Sequence, residues 1–169
     1  MMKRSLLVLS LFAVSMLAFW SVGAAGTDFS GTWSLDKAKS EGLQGQMANV
    51  DQTWVVTQDA KTLNLEIKFS GGAQEMPSQK RTYNLEGSPT EVEMGGRMPG
   101  KATLTAKWQG DGKILELSSV RNMNVQGNDV KVTSTDHWEL ADGGKTLKVH
   151  RVSESPRGTQ DSKLVFAKK

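Results

Sequence analysis

The chain has 169 residues, a formal net charge of +3 at pH 7, 17 glycines, four prolines and no cysteine. The lack of cysteine excludes disulfide bonds and a cysteine-linked lipid anchor, so a folded domain has to be held together by its apolar core. Lys3 and Arg4 are the only charged residues among the first 25, and the rest of the chain carries 19 basic and 18 acidic residues. This near balance gives no reason to expect a nucleic acid or an acidic membrane surface as a partner.

The first 25 residues have the pattern of a secretory signal peptide. Two basic residues precede an apolar run over residues 6–20, and the small residues that follow predict cleavage after Ala24, Ala25 or Gly26. The run of about 15 apolar residues is shorter than the roughly 20 that a membrane-spanning helix needs. We therefore expect a protein that is exported to the periplasm or the exterior, has no stable membrane anchor after cleavage, and folds as one domain over residues 26–169.

Ten short segments alternate between apolar and polar side chains, a pattern that predicts β-strands. In one of them Leu63, Leu65, Ile67 and Phe69 share a face. One dry face and one wet face on each strand indicate an all-β protein with antiparallel strands. The predicted strands span residues 29–36, 52–58, 62–69, 80–85, 90–94, 102–109, 114–121, 130–140, 146–152 and 162–167.

The connections between the predicted strands alternate in length. Those after the even-numbered strands are short and mostly contain glycine, as tight hairpins do. In an up-and-down meander the short connections form a laced floor and the long ones surround a mouth, so we predict a single antiparallel up-and-down β-barrel of about 8–10 strands. A pair of stacked sheets is the alternative. The longer connections are predicted at residues 37–51, 70–79, 95–101, 122–129 and 153–161.

Large aromatic residues fall at the predicted floor of the barrel. Trp33, Trp108 and Trp138 lie near the laced ends of their strands, and Gly31 shares an inward face with Trp33. We expect these indoles to close the floor, with Gly31 leaving room for a neighbouring backbone or ring. Trp54 is predicted to lie closer to the mouth.

The two ends of the chain carry a family resemblance. The segment FSGTWSLDKAKS, which begins at Phe29, and the closing segment from Trp138 to Lys169 are similar to exported bacterial lipocalin-like proteins of the calycin group, over about 45 residues in all. The resemblance implies a barrel that holds a small apolar or amphipathic molecule, and ten strands suit the fatty-acid-binding branch at least as well as the eight-stranded one. It also implies a basic residue of the last strand packed on the tryptophan. Lys163, the only basic residue in the predicted last strand, faces outward by alternation.

Polar residues in the inward phase are the first candidates for ligand binding. Arg81, Tyr83, Arg121 and Arg151 fall on the inner face, with the arginines toward the mouth. A guanidinium group at the inner rim of an apolar cup suits a carboxylate or phosphate headgroup. Two alternatives stay open: the arginines reach water from the strand ends, or Arg151 forms a structural ion pair with Asp136 on the neighbouring strand.

Methionines make up most of the predicted rim. A cluster of thioethers forms an adaptable apolar lip for a lipid tail or, as an alternative, a soft-metal site. His137 and His150 face outward on neighbouring strands, where isolated histidines are usually solvated. Besides Tyr83, the residues predicted to line the rim are Trp54, Met76, Met94, Met98 and Met123.

The chain shows no motif for catalysis or for a cofactor. It lacks a cysteine nucleophile, a Gly-X-Ser-X-Gly elbow, a His-Glu-X-X-His zinc motif, a P-loop and a dinucleotide fingerprint. We therefore expect a non-enzymatic, cofactor-free protein that binds a small hydrophobic or amphipathic molecule, with its tail in the barrel and an acidic head near the arginines. The alternatives are a filled barrel that serves as an envelope or interaction module, and soft-metal binding at the mouth.

Overall fold

The computed structural model describes residues 26–72, 76–94, 100–125 and 127–169. These residues form ten strands, one short helix (α1, Gln46–Asn49) and two single 3-10 turns at Gly110–Gly112 and Asp142–Gly144. The predicted signal peptide, residues 1–25, lies outside the described residues. The strands are β1 (Gly31–Leu35), β2 (Asp51–Gln58), β3 (Thr62–Ser70), β4 (Gln79–Asn84), β5 (Thr90–Met94), β6 (Gly100–Gln109), β7 (Ile114–Val125), β8 (Asn128–Ala141), β9 (Thr146–Ser155) and β10 (Gly158–Lys168).

The strands form one antiparallel sheet that curls into a nearly closed barrel. Their spatial order is β4-β3-β2-β1-β10-β9-β8-β7-β6-β5, so each strand pairs with its neighbours in sequence and β1 pairs with β10. The sheet ends at β4 and β5, which lie side by side without a ladder in the described part of the chain. The prediction of an up-and-down barrel is thus confirmed, and the alternative of two stacked sheets is excluded.

Two of the five predicted mouth loops are wrong. β7 and β8 stay paired up to Val125 and Asn128, and β9 and β10 up to Ser155 and Gly158, so both connections are two-residue turns. Polar side chains at the turns hold them in place: Asn124 Oδ1 accepts from the backbone N–H of Gly127 over 2.9 Å, and Ser155 Oγ from that of Arg157 over 3.2 Å. Polar residues that were predicted to form loops therefore extend β7, β8, β9 and β10. The long connections at this end are 36–50, 71–78 and 95–99.

The opposite end of the barrel is closed by aromatic rings. Trp33, Trp54, Trp138, Phe29 and Phe166 are fully buried. The Trp54 ring lies 4.1 Å from that of Phe166 and 5.2 Å from that of Trp138, and the Trp33 indole donates to the carbonyl of Phe29 over 2.9 Å. Alternation places these rings on the inner face, because residues two apart in a strand point the same way. The floor half of the barrel is therefore a packed aromatic core.

The chain segment before β1 crosses this floor. Thr27 donates its backbone N–H to the carbonyl of Gly112 over 2.8 Å, and Gln58 accepts from the N–H of Phe29 over 3.1 Å and donates to the carbonyl of Thr27 over 3.0 Å. These bonds tie the segment to the turn after β6 and to the end of β2. In the described residues no helix is long and apolar enough to cross a membrane.

Candidate functional site

A polar layer lies inside the barrel, directly above the aromatic floor. In register across neighbouring strands, Asp136 of β8 faces Arg151 of β9, and one inward position nearer the mouth Ser134 faces Ser153. Ser119 of β7 pairs with Ser134 and extends the upper row to three serines. Along β7, β8 and β9, the inward side chains thus change from apolar to polar within one step.

The Asp136 carboxylate and the Arg151 guanidinium form a two-pronged ion pair. Arg151 Nε donates to Oδ1 over 2.7 Å and Nη2 donates to Oδ2 over 2.6 Å. Burial would lower the pKa of Arg151, but the charge and hydrogen bonds of Asp136 outweigh it and raise that pKa. The Arg151 guanidinium also lies 5.6 Å from the centre of the Trp54 ring, a cation–π contact. Arg151 is therefore neutralised by the protein itself, as the ion-pair alternative predicted.

Arg81 and Arg121 differ from Arg151 because no described carboxylate pairs with them. Burial, followed by the positive charge of Arg81, lowers the pKa of Arg121. The Nε atom of Arg121 is buried without a hydrogen-bond partner among the described residues, while Arg81 Nη2 donates to Gln79 Oε1 over 3.2 Å. Two like charges therefore approach each other inside the barrel, an arrangement that an anion would stabilise.

Tyr83 lies between these two groups of charges. Its side chain is 2% exposed. Burial raises the pKa of its phenol, while the nearby charge of Arg81 acts in the opposite direction. The charges of Asp136 and Arg151 also reach it. Two of the three inward arginines selected from the sequence, Arg81 and Arg151, thus act on one phenol together with Asp136.

Three of the predicted tryptophan positions are found in the structure, and the fourth is not. The structure places Trp33, Trp108 and Trp138 at the floor. Trp54, which we expected at the rim, is instead part of the aromatic core beneath Arg151. The prediction placed Trp54 too near the mouth. Gln52 is the first inward residue of β2, and Trp54 lies one inward step further toward the floor.

The basic residue expected on Trp33 is present, but at a different position. β10 continues to Lys168, whose Nζ lies 5.1 Å from the centre of the Trp33 ring. Gly31 makes room for this lysine: a Cβ at Gly31, where φ is +146°, would lie 2.8 Å from Lys168 Cε. The interpretation based on Lys163 is thus wrong because the predicted last strand ended one residue too early, at residue 167. The space at Gly31 accommodates the Lys168 side chain rather than a ring or backbone.

Of the methionines predicted to line the rim, Met76 and Met123 are described with their side chains. Met123 is 7% exposed and pairs in register with Gly100 and Val130 near the mouth. Met76 borders a cavity of about 630 Å³ that Val50, Phe69 and Pro77 also line. Met98 and the side chain of Met94 lie outside the described residues. Within the described residues no three His, Cys, Asp or Glu side chains group as metal ligands.

The two histidines lie next to each other on the outer face. The rings of His137 and His150 are stacked with their centres 6.3 Å apart. Each ring contacts a carboxylate: His137 Nε2 lies 3.3 Å from Glu116, and His150 Nε2 lies 3.0 Å from Asp161. Both histidines face outward, as predicted, and the sheet separates them from the barrel interior.

Sequence analysis missed the inner serines as site residues. Ser153 fell in a predicted loop, although it continues the inward series Leu147, Val149 and Arg151 at the same two-residue spacing. Ser119 and Ser134 were inside predicted strands and on the correct face, but a small hydroxyl carries little signal by itself. Only the register shows that the three serines lie side by side.

Comparisons with known proteins support the fold. No protein-family model matches the chain, and a search of curated proteins finds no match either. Among solved structures, the chain is similar to zebrafish ileal bile acid-binding protein complexed with cholic acid. The TM-score is 0.54 at 12% sequence identity, and the alignment covers 83% of this chain and 98% of that one. The likeness shows that the chain has the same barrel fold as that protein.

Breaking the internal ion pair should destabilise the protein. We expect Asp136→Asn to lower the free energy of unfolding by about 3 kcal/mol, because it leaves a mostly buried guanidinium without its counter-charge. The exposed pair between Lys101 and Glu93 is the control, and Glu93→Gln should cost under about 1 kcal/mol. Urea unfolding measures both. Equal losses in the two variants would contradict a special role for the internal pair.

Tyr83 should ionise at higher pH in the folded protein than in the unfolded chain. It is the only tyrosine, so the near-ultraviolet absorbance of tyrosinate reports it alone. Because burial raises its folded-state pKa, the folded protein keeps this proton to a higher pH. The folded state therefore loses no stability to this group below the unfolded-state pKa of about 10. Above that pH the unfolded chain releases the proton first, so the free energy of unfolding falls as pH rises. A folded protein that titrates at the same pH as the chain in denaturant would contradict this.

Proposed function

We propose that the protein binds a small amphipathic anion inside its barrel, with the anionic head between Arg81 and Arg121. The observation that carries this proposal is the unequal state of the three inner arginines. Arg151 is neutralised by Asp136, whereas Arg81 and Arg121 have no described acid, and the charge of Arg81 adds to burial in lowering the pKa of Arg121. A buried positive charge without a counter-charge is costly, and an acidic ligand supplies that counter-charge.

The fold comparison supports a ligand of this class. The zebrafish protein that shares this barrel is complexed with cholic acid, a small amphipathic acid. The polar interior also agrees with an anionic head, because Tyr83, the inner serines and the arginines offer hydrogen-bonding groups inside the barrel above its floor. This proposal is for a binding protein rather than an enzyme.

The packed floor determines how such a ligand would be oriented. Five fully buried aromatic rings occupy the floor half, and the ion pair of Asp136 and Arg151 covers them. We therefore infer that the acidic head enters first and that the apolar part extends toward the mouth, past Met123 and toward Phe69 and Met76. This orientation is the reverse of the expectation that the tail lies deep and the head lies at the rim.

Removing either free arginine should weaken binding of an acid more than of an uncharged analogue. We expect Arg81→Leu and Arg121→Leu each to weaken laurate binding by roughly 10- to 100-fold, the scale of a lost charge-assisted hydrogen bond. Binding of the matching alcohol, dodecanol, should change little. Titration calorimetry or tryptophan fluorescence measures both affinities.

Arg157 provides the matched control, because it lies exposed in the turn between β9 and β10. Arg157→Leu should leave laurate affinity unchanged. If all three variants bind laurate like the wild type, the head does not lie between Arg81 and Arg121. If the wild type binds neither laurate nor other amphipathic acids, the filled-barrel alternative is favoured instead.

We further propose that residues 1–25 direct export and are then removed. The charged start, the apolar run and the small residues after it support this proposal, and Thr27 already forms its hydrogen bond to Gly112 in the barrel floor. Expression of the full chain in a bacterial host should yield a mature N-terminus directly after Ala24, Ala25 or Gly26, found outside the cytoplasm. N-terminal sequencing and cell fractionation measure this. A mature protein that retains Lys3 and Arg4 would contradict it.

A further inference from the structure

A chain of hydrogen bonds runs along the inner wall and ends at the buried ion pair. Ser153 Oγ donates to Ser134 Oγ over 3.2 Å, and Ser134 Oγ donates to Asp136 Oδ1 over 3.4 Å. Both oxygens of Asp136 also accept from Arg151. Ser134 and Ser153 lie one inward step nearer the mouth than the ion pair.

The ion pair sets the direction of this chain. An ionised carboxylate accepts hydrogen bonds and cannot donate them, so Ser134 has to give its proton to Asp136. Ser153 then gives its own proton to Ser134. The Ser153 oxygen keeps lone pairs but has no proton left for another partner, and successive hydrogen bonds polarise one another, which strengthens it as an acceptor. The open end of the chain is therefore an acceptor that suits a donor from a ligand.

This acceptor lies on the same wall of the barrel as Arg121, two strands away from it. On β7, Ser119 is the register partner of Ser134 and lies one inward step from Arg121, about 7 Å along the strand. Arg121 Nε is buried and has no described partner. One wall of the barrel thus combines an unsatisfied guanidinium with a hydroxyl row whose end accepts a hydrogen bond.

We propose that the ligand is an acid with a hydroxyl group within a few bonds of its carboxylate, and that Ser153 Oγ accepts a hydrogen bond from this hydroxyl. This inference rests on the proposed function, in which Arg81 and Arg121 bind the acidic head. A methoxy oxygen at the same place offers no proton and meets the lone pairs of Ser153, so an ether gains nothing from this contact. The preference for a donor follows from Asp136, because its carboxylate takes the proton of Ser134 and Ser134 in turn takes that of Ser153.

Three matched acids test the inference in the wild-type protein. β-Hydroxylaurate should bind more tightly than laurate by roughly three- to tenfold, the scale of one neutral hydrogen bond, and β-methoxylaurate should bind no more tightly than laurate. Equal affinities for all three acids would overturn the inference and leave the proposed function standing. If none of the three acids binds, both are overturned.

Two serine variants identify the residue responsible. Ser153→Ala should reduce the affinity for β-hydroxylaurate to that for laurate and leave the affinity for laurate unchanged. Ser118 is the control, because it pairs with Thr135 on the outer face, with the two hydroxyls 3.4 Å apart. Ser118→Ala should keep the preference. Near-ultraviolet circular dichroism checks that both variants retain the aromatic core. A preference that persists in Ser153→Ala would overturn the role of Ser153.

Discussion

The ion pair between Asp136 and Arg151 is the constraint on which the interior of this barrel depends. It lies where the apolar floor ends, and it holds a charge above a tryptophan that is itself packed between two other rings. A lone carboxylate at this depth would be very costly, whereas the two-pronged pair satisfies both groups. Everything nearer the mouth is arranged around this pair: the serines point their protons toward it, and the other two arginines lie apart from it.

The floor and the upper interior have different physical roles. The floor is dense and aromatic, and the segment before β1 crosses it while bonded to two hairpin ends. Its stability comes from burial of large rings, and the contact between Lys168 and Trp33 joins the last strand to the first. The upper half carries the unsatisfied charges and hydroxyls. Such polar groups in an interior are expensive for folding alone, and their presence is the main reason to associate this half with binding.

Much of the fold could be predicted from alternation. All ten strands were recognised, and the pairing of Asp136 with Arg151 followed from the short hairpin between their strands. The strand ends were less predictable: polar residues such as Asn124 and Ser153 read as loop, because ladder pairing in the folded barrel, which a single sequence does not reveal, keeps them extended. The distance of Trp54 from the mouth and the contact of Lys168 with Trp33 likewise depended on where a strand begins or ends, to within one or two residues. For the site, residue type selected the three arginines and the hairpin paired Arg151 with Asp136, but only the folded barrel shows that no described carboxylate pairs with the other two.

The junction between β4 and β5 gives the barrel a property that a fully closed sheet lacks. The described residues of these strands meet without a backbone ladder, so side-chain contacts alone hold the cylinder shut along this line. Parting the two strands would rupture no main-chain hydrogen bond between them, and the girth of the cylinder is therefore set by packing rather than by strand pairing. Among the described strands, this line is therefore where widening the barrel would break the fewest main-chain bonds.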